Sequence, residues 1–286
     1  MPEFTGPAFA FDQAAAQLRE HDRDRYYAAL FAPPESRPHL FALYAFGSEI
    51  ARIRDVARDA LPGEVRLQWW RDLFEGEARD GAGGHPLAMA LLETIDARRL
   101  PRQAFVNLID ARVSDLYDDP VAGWDDLEGH CGETSSALIR LACLVLADGA
   151  DPGGATQAGH AGVAIGMTGL LRALPWHARQ GRVLLPTELL DRHGVSRADI
   201  LAGDDSPGLR SALAECRARA RSHLAATREG ARHIRADILP AFLPCALVDG
   251  YLKQMERPDY HPFRSRVERA DWLKLAIMWR ASRQGI

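Results

Sequence analysis

Apolar residues recur along this chain at intervals of three and four, and the strict alternation of a half-buried strand is nearly absent. Phe11, Ala14, Ala15, Leu18, Tyr26, Tyr27, Leu30 and Phe31 predict a helix over 9–32, stopped by Pro33-Pro34. Ser36-Arg37-Pro38 reads as the start of the next helix, over 37–59, which carries Leu40, Leu43, Tyr44, Phe46, Ile50 and Ile53. Pro62-Gly63 is expected to break it, with a further helix over 63–79 bearing Val65, Leu67, Trp69, Trp70 and Leu73. Trp69 and Trp70 are adjacent, so only one can point into a core. GAGGHP at 81–86 predicts a loop, and helices follow at 86–98, 101–118, 124–148 and 155–174. A short helix at 186–193, a polar turn-rich stretch at 196–207, a long Ala/Arg helix at 207–235, apolar segments at 237–257 and a helix at 266–283 complete the pattern. The expectation is an all-α chain of roughly ten helices in a single domain, 1–286.

One stretch stands apart. Residues 159–186 read as a helix with a face of Gly162, Gly166 and Gly169, ending at Pro175 and followed by a basic turn and Val183-Leu-Leu-Pro186. A face without side chains lets another helix approach closely or leaves room for a bulky apolar ligand, and helix packing is the ordinary outcome. Arg172, His177, Arg179 and Arg182 lie on or just beyond its C-terminal half.

Composition narrows the field. The chain of 286 residues is 47% hydrophobic and 26% charged, which suits a soluble globular protein. Its 35 basic and 39 acidic residues leave no general polycation for nucleic acid. Only Lys253 and Lys274 are lysines, and the remaining basic residues are Arg. Cys131, Cys143, Cys216 and Cys245 are widely spaced, with Cys143 and Cys245 in apolar runs, so buried thiols in a reducing compartment are expected. No secretory signal and no run of about 18 apolar residues is visible. A cytoplasmic location is therefore expected, with peripheral membrane contact through 237–252 or 272–279 kept open. The chain carries no Walker loop, H-E-x-x-H or G-x-S-x-G. His130-Cys131 alone makes no zinc site. Asp118-Asp119 and Asp125-Asp126 read as helix caps, and Arg217, Arg219, Arg221 and Arg228 as a solvated helix face.

Three stretches, in order, do carry a resemblance. Asp24-Arg-Tyr-Tyr-Ala-Ala-Leu-Phe-Ala-Pro-Pro-Glu35 with Leu40-Phe-Ala-Leu-Tyr-Ala-Phe46 is similar to the first signature of the squalene/phytoene synthase family. Leu100-Pro101 to Asp110 resembles its middle region, and 164–186, with Gly181-Arg-Val-Leu-Leu-Pro186, its second signature. The resemblance implies an isoprenoid-synthase-like helical bundle around a central apolar cavity. It also implies head-to-head joining of prenyl diphosphates, in which two Asp-rich motifs on facing helices hold about three Mg²⁺ ions against the leaving diphosphate.

The residues at those motif positions depart from the family pattern. Where an Asp-Asp-x-x-Asp run is implied, this chain has Ala51-Arg52-Ile-Arg-Asp55, and the acids implied after Arg172 fall at Ala173 and His177. A guanidinium among the ligands opposes a cluster of divalent cations. Tyr44, Arg52, Gly166, Gly169, Arg172 and Arg182 remain as ligand-binding candidates, with no resident metal expected. For Arg52, Arg172 and Arg182 two readings stand: they grip a phosphate directly, or they pair with Glu49, Asp55 or other acids. Leu171-Arg-Ala-Leu-Pro-Trp-His177, His193-Gly-Val-Ser196 and Trp272-Leu-Lys-Leu-Ala-Ile-Met-Trp-Arg280 further resemble the branch of this family that serves in respiratory complex I assembly, regarded as non-catalytic. That implies an isoprenoid or other lipid ligand, or a protein partner in respiratory complex assembly, with peripheral placement at the inner membrane. The alternative is an active prenyltransferase with an atypical Mg²⁺ site.

Overall fold

The computed structural model describes residues 6–57, 59–76 and 84–286, and among them there is no strand. The last three residues of the helix expected at 63–79, and the start of the loop expected at 81–86, lie outside the described residues. Helices α1 (Pro7–His21), α2 (Arg23–Ala29), α3 (Arg37–Ala51), α4 (Ile53–Val56), α5 (Ala60–Glu75), α6 (Pro86–Ala97) and α7 (Arg102–Val113) form the first part of the chain. Then come α8 (Trp124–Cys131), α9 (Ala137–Leu146), α10 (Ala155–Arg179), α11 (Thr187–Arg192), α12 (Arg197–Ala202), α13 (Pro207–Glu229), α14 (Cys245–Gln254) and α15 (Asp271–Gln284).

Several expected helices are subdivided, each for a local reason. The segment 9–32 breaks at Asp22, whose carboxylate accepts a hydrogen bond from the Arg25 N–H at 3.0 Å and so caps α2. The segment 37–59 tightens at Arg52, whose N–H reaches the Glu49 carbonyl at 3.1 Å, and a short α4 follows. Pro62 breaks nothing: it lies in the first turn of α5, where a missing N–H costs no helical bond. The segment 124–148 is interrupted by a π-helical stretch, Gly132–Ser136. Pro175 does not end α10, which runs on to Arg179 with Leu174 and Ala178 buried on either side of it. Within 196–207 a capping box, Ser196 with Asp199, starts α12.

Packing divides the chain into two compact units. The first comprises the described chain up to Tyr117 with 137–155 and 233–242. Its centre is α3, buried from Ala42 through Gly47 without interruption, as expected of a helix that is apolar all round. The α1 stripe Ala10, Ala14 and Leu18 is buried at four-residue spacing. Phe46 meets Trp70, Phe74 and Phe105 at ring-centroid distances of 5.0, 5.5 and 5.7 Å. Trp70 is buried and Trp69 half-buried, as adjacency requires.

The second unit comprises 118–136, 156–232 and 243–286. Here α10 is pressed against the π-helical stretch. A side chain on Gly162 would collide with the Ser136 backbone, and one on Gly166 would stand 2.8 Å from the Cys131 sulfur. The Ser136 hydroxyl seals the approach by donating to the Gly159 carbonyl at 2.8 Å. Leu243 and, in α14, Cys245, Leu247, Val248, Tyr251 and Leu252 are buried, while Ile238, Ala241 and Phe242 are buried as part of the first unit. The apolar run 237–252 is therefore core and offers no membrane face. No helix among the described residues is long and apolar enough to cross a membrane.

Candidate functional site

The candidate residues fall in both compact units. In the first, Tyr44 is 1% exposed, and burial pushes its phenol well above the usual range, so it stays neutral. The Arg25 guanidinium lies 5.9 Å from the Tyr44 ring centroid and bonds the Asp22 carboxylate at 2.6 Å. Burial opposes the charge on Arg25, yet Asp22 keeps it firmly protonated. Ala51 and Arg52 are half-buried where α3 ends, while Asp55 is exposed on α4. Glu49 accepts a hydrogen bond from the Gln17 amide at 2.6 Å.

In the second unit, Gly162, Gly166, Gly169, Ala173 and His177 share one stripe of α10. The N-terminal end of that stripe is filled by Ser136, Ser135 and Cys131, whereas nothing stands within 4 Å of where a Gly169 side chain would begin. Ala173 and His177 are half-buried. Arg172 leaves the stripe sideways. Its guanidinium lies 3.9 Å from the Tyr251 ring centroid, donates to the Val267 carbonyl at 3.2 Å and reaches Glu268 Oε2 at 3.2 Å. The other oxygen of Glu268 holds the Lys274 ammonium at 2.5 Å and accepts the Arg269 N–H at 3.1 Å. Lys274 is 1% exposed, so Glu268 is its counter-charge inside the fold. Arg182 is buried, and its N–H donates to the His177 carbonyl at 2.9 Å. For Arg172, then, pairing with an acid is what the structure holds, and Glu268 is such an acid.

A second polar group escaped the sequence reading. His160 of α10 and His223 of α13 face each other, Nδ1 to Nδ1, at 3.0 Å. His223 Nε2 lies 3.2 Å from Glu128 of α8, which also pairs with Arg219. Burial works against the Glu128 charge, but the Arg219 and His223 hydrogen bonds prevail and hold its carboxyl below the usual range. These residues come from three helices far apart in sequence, and no local spacing announces them. The expected solvated arginine face of α13 holds for Arg219 and Arg228, which are exposed, and needs correction for Arg217 and Arg221, which are half-buried. Arg221 forks onto Glu256 at 2.5 and 2.8 Å and also bonds Asp249, and Arg217 lies 3.6 Å from Glu256. Acids on α14 and just beyond it engage those two guanidinium groups.

Among the described residues no group of three or more His, Cys, Asp or Glu side chains could hold a metal ion. The motif positions supply an exposed carboxylate at Asp55, one imidazole at His177, a methyl group at Ala173 and a guanidinium at Arg52. Clusters of hard divalent cations take oxygen ligands, and of these four residues Asp55 is the one whose side chain carries a carboxylate.

An all-helical chain with these two signatures defines a class, and comparison with known proteins gives the same one. The family model for squalene/phytoene synthase matches residues 18–276, and the chain belongs to that family. Among individual relatives it is 30% identical to NADH dehydrogenase (ubiquinone) complex I, assembly factor 6 of Bos taurus over 256 residues, covering 90% of this chain and 77% of the relative. It is 25% identical to phytoene synthase of Thermus thermophilus over 269 residues, covering 92% and 89% of the two chains. In three dimensions it is similar to a dehydrosqualene synthase solved with ligand, at a TM-score of 0.82 and 16% identity over 97% of this chain and 96% of that one. Squalene synthase HpnC of Alicyclobacillus acidocaldarius matches at a TM-score of 0.66 and 22% identity, over 96% and 94% of the chains. At those identities the structures speak for the fold alone.

Proposed function

We propose that this protein is a catalytically degenerate squalene/phytoene synthase relative that binds an isoprenoid or other lipid, or a protein partner, in the assembly of a respiratory complex. The observation that carries the reading is the chemistry at the motif positions: Ala51, Arg52, Ala173 and His177 where ionised carboxylates would be needed. Leaving-group departure from a prenyl diphosphate requires concentrated positive charge held by acidic ligands, and one exposed Asp55 does not supply them. The 30% identity to an assembly factor over 90% of the chain supports the same reading. So does Arg172, whose guanidinium is engaged by Glu268 and Tyr251. On this reading the protein needs no resident Mg²⁺.

The likeness to phytoene synthases along 92% of the chain favours a second reading, a prenyltransferase with an atypical site. One experiment separates them. Purified protein is incubated with Mg²⁺ and farnesyl or geranylgeranyl diphosphate, and the extract is searched for head-to-head products. The expected result is none above a no-protein control. Sustained product formation, abolished in Arg52→Ala with the fold intact, would falsify the degenerate reading and establish the transferase.

A further inference from the structure

Helix α15 is held to the second unit by one face. Lys274, Met278 and Ala281 are buried on it, spaced four and three apart, and Lys274 is anchored by Glu268. Trp272, Ala276, Trp279 and Arg283 lie about 140–200° around the helix from Lys274, on the opposite side. Trp272 is 72% exposed and Trp279 59%, among the most exposed large apolar residues of the described chain. Two indoles therefore project from one ridge, about two helical turns apart, and neither contributes to the core. Two exposed Trp on one ridge, fixed so firmly from behind, make that ridge a candidate contact surface.

Charge indicates which occupant. After Asp271, at its first position, α15 has no further acid, and its exposed cations are Arg280 and Arg283. The Arg283 guanidinium lies 5.8 Å from the Trp279 ring centroid, and Arg280 bonds Gln284 at 2.8 Å. Indole with an apolar body and a polar N–H, flanked by guanidinium, suits the headgroup level of a bilayer. The shape agrees: Trp hot spots at protein contacts fill pockets, whereas a projecting ridge is received by a deformable surface.

We propose that the outer ridge of α15, Trp272 and Trp279 with Arg280 and Arg283, seats the folded protein on a membrane surface bearing anionic headgroups. The inference is independent of whether any ligand is bound or turned over. The test is flotation of the full chain with phosphatidylcholine vesicles and with vesicles one-third phosphatidylglycerol. The protein is expected to float with the anionic vesicles and to be released by high salt. Trp272→Ala with Trp279→Ala should weaken flotation at least about tenfold, and Arg280→Gln with Arg283→Gln should erase the preference for anionic lipid. All four side chains are outside the core, so thermal melting of both variants should match the parent protein. The proposal is overturned if the protein floats with neither vesicle, or floats equally well with both tryptophans removed. It is also overturned if the tryptophan variant fails only in self-association or in binding an acidic protein, which would make the ridge a protein contact.

Discussion

Phe46 and Arg172 each sit in a stretch that marks the family, one in each compact unit, and they are held by opposite physics. Around Phe46 the packing is aromatic: the Trp70, Phe74 and Phe105 rings close on it. Around Arg172 the chain has built a small, half-buried ionic lattice of Glu268, Lys274 and the Tyr251 ring. Dispersion and dehydration hold the first region whatever its partners' exact identities, within limits of volume. The second depends on charge balance, so the cost of a loss depends on which member is removed.

The largest effect is expected in the aromatic region. Phe46→Ala removes a fully buried ring and should cost about 3–5 kcal/mol, read as a lower urea midpoint. A cost below about 1 kcal/mol would mean the neighbouring rings collapse into the gap, and the region would be less rigidly packed than described. In the ionic region the direction of the damage is the informative quantity. Glu268→Ala removes the Glu268 carboxylate from the buried Lys274 ammonium and should cost about 3 kcal/mol. Lys274→Met fills similar volume while Glu268 keeps Arg172 and the Arg269 N–H, so a change within about 1 kcal/mol is expected. Equal losses in the two variants would contradict the lattice.

The smallest effect concerns His39, whose titration is expected to register in stability below neutral pH. Burial lowers its imidazole to about 4, the Arg98 guanidinium adds to this and Asp148 opposes it. Above its ordinary value of 6.5 the ring is neutral in both states and contributes nothing to the pH dependence. Between about 6.5 and about 4 the unfolded chain takes a proton that the folded chain refuses, so stability falls as pH falls through that window. His39 is only half-buried, and the screened effect is on the order of 1 kcal/mol. Denaturation of the parent and His39→Gln at neutral and mildly acidic pH checks it, with the substituted chain showing the shallower slope.

Helix content and the identity of both signature stretches were legible in the sequence, because apolar spacing is a local property and this chain repeats it clearly. Boundaries were less so. A proline in a first turn, Pro62, and one inside a well-packed helix, Pro175, look alike in sequence although neither terminates its helix. The capping role of Asp22 was written in the sequence and overlooked, since apolar residues continue on both sides of it. The candidate site was legible only as residue types. Arg172 was visible, but its partner lies 96 residues away, and nothing in the spacing around Glu268 points back to it. His160 and His223 are 63 residues apart and equally silent. Long-range pairing is decided by how helices cross, which periodicity does not encode.

The four buried cysteines give the chain a built-in reporter. Burial pushes the Cys143 and Cys216 thiols up to about 12, so almost none of the reactive thiolate exists at neutral pH while the fold is closed. Cys131 and Cys245 are likewise shielded from solvent. Alkylation must therefore wait for opening, and the positions are divided: Cys143 lies in the first compact unit, and Cys131, Cys216 and Cys245 in the second. Without any engineered label, the order in which these thiols are trapped would time the breathing of one half of the molecule against the other.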